Sequence, residues 1–373
     1  MDRSEIIVKS PGRINLIGEH IDYNQGWVLP AAIDKHMFLT FRKNGSKNHC
    51  SIISDDFGET LSLNLEQLEK SDKGWHNYLI GVLFEIHERS AGLEGFECHI
   101  RSEIPVGSGV SSSAALECGF AFGLNSLFGL KLSNLELVQI GQSAEHRYVG
   151  TKCGIMDQFA SVQGKAGHLI HLDCLTLDFE YIPMDLGDHC ILLLNTNVAH
   201  DLATGAYNER RQECETSLDL LARTYGIEKS FREVRPHMLE TVGTHLGIKA
   251  YKRCTYVIAE IARVSEAVKA LKENDLKKLG ELLYKTHEGL SILYEVSCPE
   301  LDFLVRLAKS EPLILGARMM GGGFGGCTLN LIHKKAVPAF VERAKVAYES
   351  EFGNSLSHFQ TVPGDGTALS QTS

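Results

Sequence analysis

"IPVGSGVSSSAAL", residues 104–116, joins a glycine-containing turn to the start of a helix. Gly107 and Gly109 allow the backbone to approach a ligand closely, and the serine run leads into a helix predicted over residues 112–128 and ended by Gly129. The free N–H groups and positive dipole end of such a helix start suit a phosphate group. The alternative is an ordinary serine-capped helix after a tight turn, and this stretch alone leaves both interpretations open.

A second helix, predicted over about residues 133–149 from a capping-box pair at its start, should fold back against the first. At a rise of about 1.5 Å per residue, Ser113 and Glu145 are then offset by only about 6 Å along the helical hairpin. A hydroxyl and a carboxylate are oxygen ligands of the kind that Mg²⁺ takes beside phosphate and water. The alternative is that Glu145 pairs with Arg147 or Lys152 at the surface.

The stretch "PGRINLIGEHIDYNQGWVLP", residues 11–30, places charged groups at the end of an apolar strand. Ile14, Leu16 and Ile17 predict that this short strand is buried. Four titratable side chains lie within ten residues of one another: Arg13, Glu19, His20 and Asp22. Ionised carboxylates are strong acceptors for ligand hydroxyls, whereas the alternative interpretation is a solvated turn.

The rest of the chain predicts mixed α and β structure in two domains with a boundary near residues 175–185. Further strands are predicted at residues 4–10, 36–43, 49–53, 168–174, 190–198, 313–320, 327–332 and 356–361. Further helices are predicted at residues 207–225, 253–274, 275–296 and 336–352, with one more opened by Pro299. The N-terminal part of the chain is therefore rich in predicted strands, and the C-terminal part alternates helices with a few strands.

Composition excludes several classes of function. A net charge of −10 over 373 residues argues against a nucleic-acid surface, which needs a basic face. Ten scattered cysteines without a CxxC pair indicate free thiols in a reducing cytoplasm. The 16 histidines show no paired metal spacing, so we expect no zinc site. We also expect no secretory signal and no membrane span, because no apolar run is long enough.

A second glycine-rich stretch, "MMGGGFGGCTL" at residues 319–329, formally matches GxGxxG through Gly321, Gly323 and Gly326. A dinucleotide-binding motif needs a helix directly after it, so that the pyrophosphate meets the helix N-terminus. Here "CTLNLI" follows, which predicts a strand. We therefore reject a dehydrogenase interpretation.

Three segments in this order, "GRINLIGEHIDYNQGWVLP", "PVGSGVSSSAA" and "MMGGGFGGC", resemble the GHMP small-molecule kinase superfamily and, within it, the galactokinase family. The segments "CGIMDQF" (153–159), "HDLATGAYNERRQ" (200–212) and "YEVSCPELD" (294–302) extend the resemblance over nearly the whole chain. It implies an α+β fold with the active site in the cleft between two domains. The first, residues 1–180, would resemble ribosomal protein S5 domain 2, and the second, residues 181–373, would be ferredoxin-like.

The resemblance also implies a role for each matching position. Arg13 and Asp157 would be the catalytic pair, with Asp157 either a true base or an orienting charge. The sugar would be held by Glu19, His20, Asp22, Gly154 and Tyr207. The ATP phosphates would be bound by Gly107, Ser108, Gly109, Val110, Ser111, Ser112 and Ser113, with Trp75 and Tyr78 near the adenine. Mg²⁺ would be held by Ser113 and Glu145, and the turn at residues 321–326 would shape both sites. Ile21 and Val110 depart from the Thr and Leu that are common in the family.

The implied reaction is transfer of the γ-phosphate of ATP to the C1 hydroxyl of α-D-galactose. We further expect a cytoplasmic protein, a monomer, with no nucleic-acid or membrane partner. Two alternatives stay open. One is a kinase of the same family for N-acetylgalactosamine or another sugar, and the other is a non-catalytic sensor of galactose and ATP. The intact serine run after Gly109, together with Arg13 and Asp157, favours an enzyme over a sensor.

Overall fold

The computed structural model describes residues 5–105, 107–199 and 203–370. Its strands are β1 (Ile6–Asn15), β2 (Trp27–Val28), β3 (Pro30–Lys43), β4 (His49–Ser54), β5 (Glu59–Asn64), β6 (Phe96–Ser102), β7 (His168–Asp173), β8 (Phe179–Pro183), β9 (His189–Ala199), β10 (Ile314–Met319), β11 (Gly325–His333), β12 (Ser357–Thr361) and β13 (Ala368–Leu369). Its α-helices are α1 (Gly74–Arg89), α2 (Ser112–Phe128), α3 (Asn134–Ala144), α4 (Met156–Gln163), α5 (Ala203–Tyr225), α6 (Pro236–Lys272), α7 (Leu276–Glu288), α8 (Pro299–Lys309) and α9 (Val337–Phe352).

The strands form a six-stranded sheet in the order β13-β1-β3-β6-β4-β5. The central pair, β1 and β3, is antiparallel, and its register shifts between Pro11 and Arg13. Such a bulge re-aims the side chains beside it. Directly after the bulge, the N–H of Arg13 donates to the carbonyl of Val110 at 2.9 Å. This hydrogen bond ties the loop before α2 to the end of β1, and α2 itself packs against β1 and β3.

A second sheet has the order β10-β11-β9-β12, and a small third sheet has the order β2-β7-β8. Helices α8 and α9 cover the second sheet through an apolar cluster that includes Leu192, Leu304 and Phe340. The chain then returns to the first sheet, where Leu369 and Ala368 of β13 lie opposite Val8 and Lys9. The first sheet is therefore built from both ends of the sequence.

The predicted mixture of α and β structure is confirmed, but one strand and one helix end earlier than predicted. The strand expected at Ile14, Leu16 and Ile17 ends at Asn15, and the next two residues are buried without belonging to it. The helix expected over 133–149 is α-helical only to Ala144, and its last five residues form a π-helical turn. The predicted capping box at its start, formed by Ser133 and Glu136, is present.

Helices in the second half differ in length from the sequence prediction. α6 begins well before residue 253 and is kinked at Gly247, where φ is 75°. The helix expected over 275–296 is α7 followed by a π-helical turn, Gly289–Tyr294. The strand β8 still pairs with β7 across the expected domain boundary, so the division at residue 180 stays a prediction.

Candidate active site

A cavity of about 330 Å³ is lined by several parts of the chain that are distant in sequence. They include the end of β1 and the stretch after it, the loop before α2, the start of α4, the turn between β10 and β11, and single residues of α1, α5 and the π-helical turn after α3. Among the candidate residues, those that line it are Arg13, Glu19, His20, Asp22, Gly107, Ser108, Gly109, Val110, Ser111, Ser112, Ser113, Glu145, Asp157 and Tyr207. Distant parts of the sequence thus meet at one site.

A bidentate ion pair joins Arg13 to Asp157. Nε of Arg13 donates to Oδ1 and Nη2 donates to Oδ2, each at 2.8 Å, while Nη1 donates to the carbonyl of Gly109 at 2.5 Å. Burial alone would lower the pKa of Arg13, but the carboxylates of Asp157 and Glu19 outweigh it and raise the pKa above its usual value. Asp157 also lies in the first turn of α4, where the helix dipole favours a negative charge.

The loop before α2 leaves the N-terminus of that helix open towards the cavity. Gly107 and Gly109 both have φ of 71°, a conformation that favours glycine. Ser111 stands at the cap position but makes no side-chain cap hydrogen bond. Its hydroxyl instead donates to Oδ2 of Asp157. The alternative of an ordinary serine-capped helix is therefore not what the structure contains.

Ser113 and Glu145 lie together, because both line the cavity and the Ser113 hydroxyl is near enough to the Glu145 carboxyl to act on its pKa. The side chain of Gln158 holds the same carboxylate, with Nε2 at 3.1 Å from Oε2. Burial raises the pKa of Glu145 above its usual value. Arg147 pairs with Glu85 at 2.7 Å and not with Glu145. The convergence expected from helix geometry is thus present, and the surface pairing with Arg147 is absent.

The stretch after β1 is buried rather than a solvated turn, since Glu19, His20 and Asp22 are at most 8% exposed. Oε1 of Glu19 accepts from the backbone N–H of Gly321 at 2.8 Å. Asp22 lies beside Gly154, where an added Cβ would come within 1.9 Å of Oδ2. Burial first, and the charge of Asp157 second, raise the pKa of Asp22 to about 7.

Both ring nitrogens of His20 are hydrogen-bonded within the protein. Nε2 lies 3.1 Å from the carbonyl oxygen of Gly322, which accepts only, so this nitrogen carries the proton. Nδ1 then accepts from the Tyr23 hydroxyl at 2.7 Å. Burial lowers the pKa of His20 to about 4, so the ring is neutral near pH 7. The centroid of the His20 ring lies 5.2 Å from the centroid of the Tyr207 ring.

Two candidate residues lie outside the cavity lining. Gly154 is behind Asp22, at the wall of a neighbouring cavity. Trp75 stacks on Phe57, with centroids 5.1 Å apart, and donates to Glu59 at 3.2 Å. Tyr78, one turn further along α1, does line the main cavity. The departures Ile21 and Val110 are both buried, and Ile21 belongs to the apolar core.

Sequence reasoning missed several polar groups of the site. The largest is Arg318, a fully buried guanidinium that bonds to Glu19. Its signal was a lone charge in the otherwise apolar strand "LILGARMM". The bonds of Ser111 to Asp157 and of Tyr23 to His20 carry no pattern in the sequence. The segment "HDLATGAYNERRQ" begins at residues 200–202, which lie outside the described residues.

None of the helices in the described ranges is both long and apolar enough to cross a lipid bilayer. No group of three or more His, Cys, Asp or Glu side chains in residues 5–105, 107–199 and 203–370 could hold a metal ion by itself. A divalent ion at Ser113 and Glu145 would therefore depend on ligand and water oxygens for the rest of its coordination.

Three family models match the chain. They are the galactokinase galactose-binding signature over residues 1–43, the N-terminal domain of GHMP kinases over 77–165 and the C-terminal domain of GHMP kinases over 267–349. The two domain models match separate parts of one chain, so the expected α+β, two-domain class is confirmed.

Curated relatives match over nearly the full length. A galactokinase of Thermotoga maritima is 43% identical, over 96% of this chain and 98% of the relative. A galactokinase of Glaesserella parasuis is 39% identical, over 98% of this chain and 95% of the relative. Among solved structures, Lactococcus lactis galactokinase complexed with galactose is 37% identical with a TM-score of 0.93, covering 98% of this chain and 95% of that one. The similarity therefore extends over nearly the whole length of this chain and of its relatives.

Proposed function

The chain belongs to the galactokinase family of GHMP kinases, and we propose that it transfers the γ-phosphate of ATP to the C1 hydroxyl of α-D-galactose. The products are galactose 1-phosphate and ADP. One observation carries this proposal: the ion pair of Arg13 and Asp157 lines a single cavity together with the buried carboxylates of Glu19 and Asp22 and the N-terminus of α2. A hydroxyl bound on one side can thus meet a phosphate bound on the other.

In this proposal, Asp157 accepts a hydrogen bond from the C1 hydroxyl of the sugar. Arg13 and Ser111 donate to its two oxygens, which fixes the orientation of the carboxylate. A carboxylate is a weak base, but a loose transition state asks mainly for positioning and charge neutralisation. Proton transfer can then lag behind cleavage of the bond to the leaving oxygen. Arg13 also stabilises the charge that develops on the transferred group.

Sugar selectivity rests on buried acceptors. We propose that Glu19 and Asp22 accept hydrogen bonds from hydroxyls of galactose, while Tyr207 and the neutral ring of His20 form the pocket wall. Gly154 supports this wall, because no other residue leaves room for the Asp22 carboxylate. A sugar without the matching hydroxyl leaves a buried carboxylate unpaired, at a cost of about 1–3 kcal/mol.

Nucleotide binding relies on the backbone and on a cation. Arg13 is the one Lys or Arg among the described residues that line the cavity, and Asp157 already pairs with it. We propose that residues 107–113 and the helix N-terminus bind the phosphates. Ser113 and Glu145 would hold Mg²⁺, because their hard oxygen donors are adjacent and a buried carboxylate gains from a cation. Mg²⁺ would neutralise phosphate charge.

The adenine would lie beyond the phosphates towards α1. Tyr78 lines the cavity at that end, and Trp75 stands just outside it. We also propose that the protein acts as a cytoplasmic monomer. The ten cysteines are all free, which fits a reducing compartment, and light scattering of the purified protein would test the monomer.

A sugar panel with [γ-³²P]ATP tests the proposed function. We expect labelled galactose 1-phosphate to form at least a hundredfold more efficiently, by kcat/KM, than phosphorylated N-acetylgalactosamine, glucose or mannose. Preference for N-acetylgalactosamine would favour the related sugar kinase. Binding of galactose and ATP without turnover would favour the sensor and contradict the proposal.

A further inference from the structure

Arg318 carries a buried charge that has no role in the proposed reaction. It lies in β10, directly before the turn at residues 321–326, and its side chain is fully buried. A buried guanidinium is costly unless each of its donors has an acceptor. The acceptors that Arg318 contacts therefore indicate what it does.

All five N–H groups of Arg318 have partners. Nε donates to the carbonyl of Leu16 at 2.9 Å, and Nη1 donates to the carbonyl of Met319 at 2.6 Å. Nη2 donates to the carbonyl of Asn15. The remaining hydrogens of Nη1 and Nη2 both point to Oε1 of Glu19, each at 3.1 Å. The guanidinium of Arg318 thus links β10 to the end of β1 and to Glu19.

Glu19 is held so that one of its oxygens stays available. Oε1 accepts from both terminal nitrogens of Arg318 and from the N–H of Gly321 at 2.8 Å. Within the described ranges no residue donates to Oε2, although Glu19 lines the cavity. The backbone of Glu19 is fixed as well, since the Tyr256 hydroxyl donates to its carbonyl at 2.8 Å.

We infer that Arg318 is a positioning residue that saturates Oε1 of Glu19 and thereby presents Oε2 to a galactose hydroxyl. The inference rests on the proposed function, because it needs galactose in this cavity. Arg318 is not among the described residues that line the cavity, so we expect no contact between it and the sugar. It acts through Glu19, and through Met319 it also fixes the approach to the glycine turn.

Lysine cannot replace this arrangement. An ammonium group keeps the charge but has three donors on a flexible stem, whereas the planar guanidinium directs five N–H donors at fixed angles to four acceptor atoms. Arg318→Lys should therefore keep a positive charge beside Glu19 but leave its carboxylate loosely oriented. Arg318→Met removes the charge and leaves Glu19 buried without its partner.

Calorimetric titration of galactose into the full-length protein tests the inference. We expect the galactose Kd to rise roughly tenfold in Arg318→Lys and roughly a hundredfold in Arg318→Met. At saturating galactose, kcat should change less than about threefold, because the residue does not touch the reacting atoms. Arg253→Lys is the matched control, since Arg253 is also fully buried and bonds to Glu213, Glu295 and the Leu293 carbonyl. It should lower Tm and leave Kd within about twofold.

A set of monodeoxygalactoses separates orientation of Glu19 from general loosening. For the analogue that lacks the hydroxyl bound by Glu19, the effect of Arg318→Lys should fall below about twofold, while the other analogues should keep it. An equal effect on every sugar, or a Kd change no larger than that of Arg253→Lys, would overturn the inference. Failure of the unchanged protein to bind galactose would instead contradict the proposed function, so the two failures are distinguishable.

Discussion

The two sides of the cavity are built in different ways. On the sugar side, Glu19 and His20 are almost completely buried, and protein groups occupy one oxygen of the first and both nitrogens of the second. On the nucleotide side, residues 107–113 present backbone in left-handed turns and a helix end without a side-chain cap. One side is fixed by side chains before any ligand arrives, and the other offers mainly N–H groups.

This difference separates selectivity from binding strength. Fixed acceptors reject a sugar with one hydroxyl misplaced, because the unpaired group stays buried. Backbone N–H groups donate to the oxygens of any phosphate, and the strength of phosphate binding in a protein of net charge −10 depends on added positive charge. We therefore expect changes on the sugar side to act on selectivity and changes on the nucleotide side to act on ATP and metal requirements.

The largest effect should come from the point where the two sides meet. Asp157→Ala removes the group that orients the sugar hydroxyl and leaves the charge of Arg13 unpaired. We expect kcat to fall about a thousandfold, while galactose still binds through Glu19 and Asp22. Steady-state kinetics and calorimetry measure the two effects separately. Turnover near that of the unchanged protein would remove Asp157 from the mechanism.

A smaller effect should follow from the proposed cation site. Glu145→Gln keeps the shape of the side chain but removes its charge, so the Mg²⁺ concentration for half-maximal rate should rise roughly ten- to hundredfold. The galactose KM should stay within about twofold. Glu85→Gln is the control, because Glu85 is an equally buried carboxylate that pairs with Arg89 and Arg147 outside the cavity. An unchanged Mg²⁺ requirement in Glu145→Gln would contradict the site.

The comparison also shows what the sequence could predict. Local patterns predicted local structure well: the capping box of Ser133 and Glu136 and the extent of α2 agree with the structure. Helix length alone brought Ser113 and Glu145 together. These predictions succeed because a helix has a fixed rise and a cap has a fixed spacing.

Long-range contacts were beyond such reasoning. Nothing near Ser111 in the chain indicates that its hydroxyl bonds to Asp157 rather than to the helix start. The bond between Arg318 and Glu19 spans 299 residues. β13 joins the first sheet from the far end of the chain, and two residues of strand carry no periodicity to read. Partners of this kind depend on topology, which one sequence does not specify pair by pair.

On the sugar side, the pH dependence should report Asp22. Because burial raises its pKa to about 7, the carboxyl gains a proton as pH falls below 7 and loses its role as an acceptor. We expect kcat/KM for galactose to fall about tenfold per pH unit below that value. In Asp22→Asn the inflection should disappear. A flat profile between pH 5.5 and 8.5 would show that another group governs binding.

The same shift affects stability in a direction that can be checked. The folded protein holds a proton on Asp22 that the unfolded chain releases near its ordinary pKa of 3.8. The stability contribution of this group is therefore full below about pH 4 and is lost as pH rises towards 7. Thermal melts of the free protein should show a smaller decline over this window in Asp22→Asn. An equal decline in both proteins would contradict the shifted pKa.

The smallest effects should come from the phosphate loop, where two glycines form a matched pair. Gly107 and Gly109 share a φ of 71°, so alanine at either position strains the backbone by about 1–2 kcal/mol. A Cβ at Gly107 meets nothing within 4 Å, whereas one at Gly109 lies 3.3 Å from the carbonyl oxygen of Met320. We expect the ATP KM to rise two- to fivefold, roughly, in Gly107→Ala and further in Gly109→Ala.

The galactose KM distinguishes the two variants. Gly107→Ala should leave it unchanged, because strain at that position stays in the open loop. Gly109→Ala should raise it slightly, since the Gly109 carbonyl accepts from Nη1 of Arg13 at 2.5 Å and a shift there moves the pair of Arg13 and Asp157. A larger galactose effect in Gly107→Ala than in Gly109→Ala would mean that the two sides of the cavity are coupled through the loop and not through Arg13.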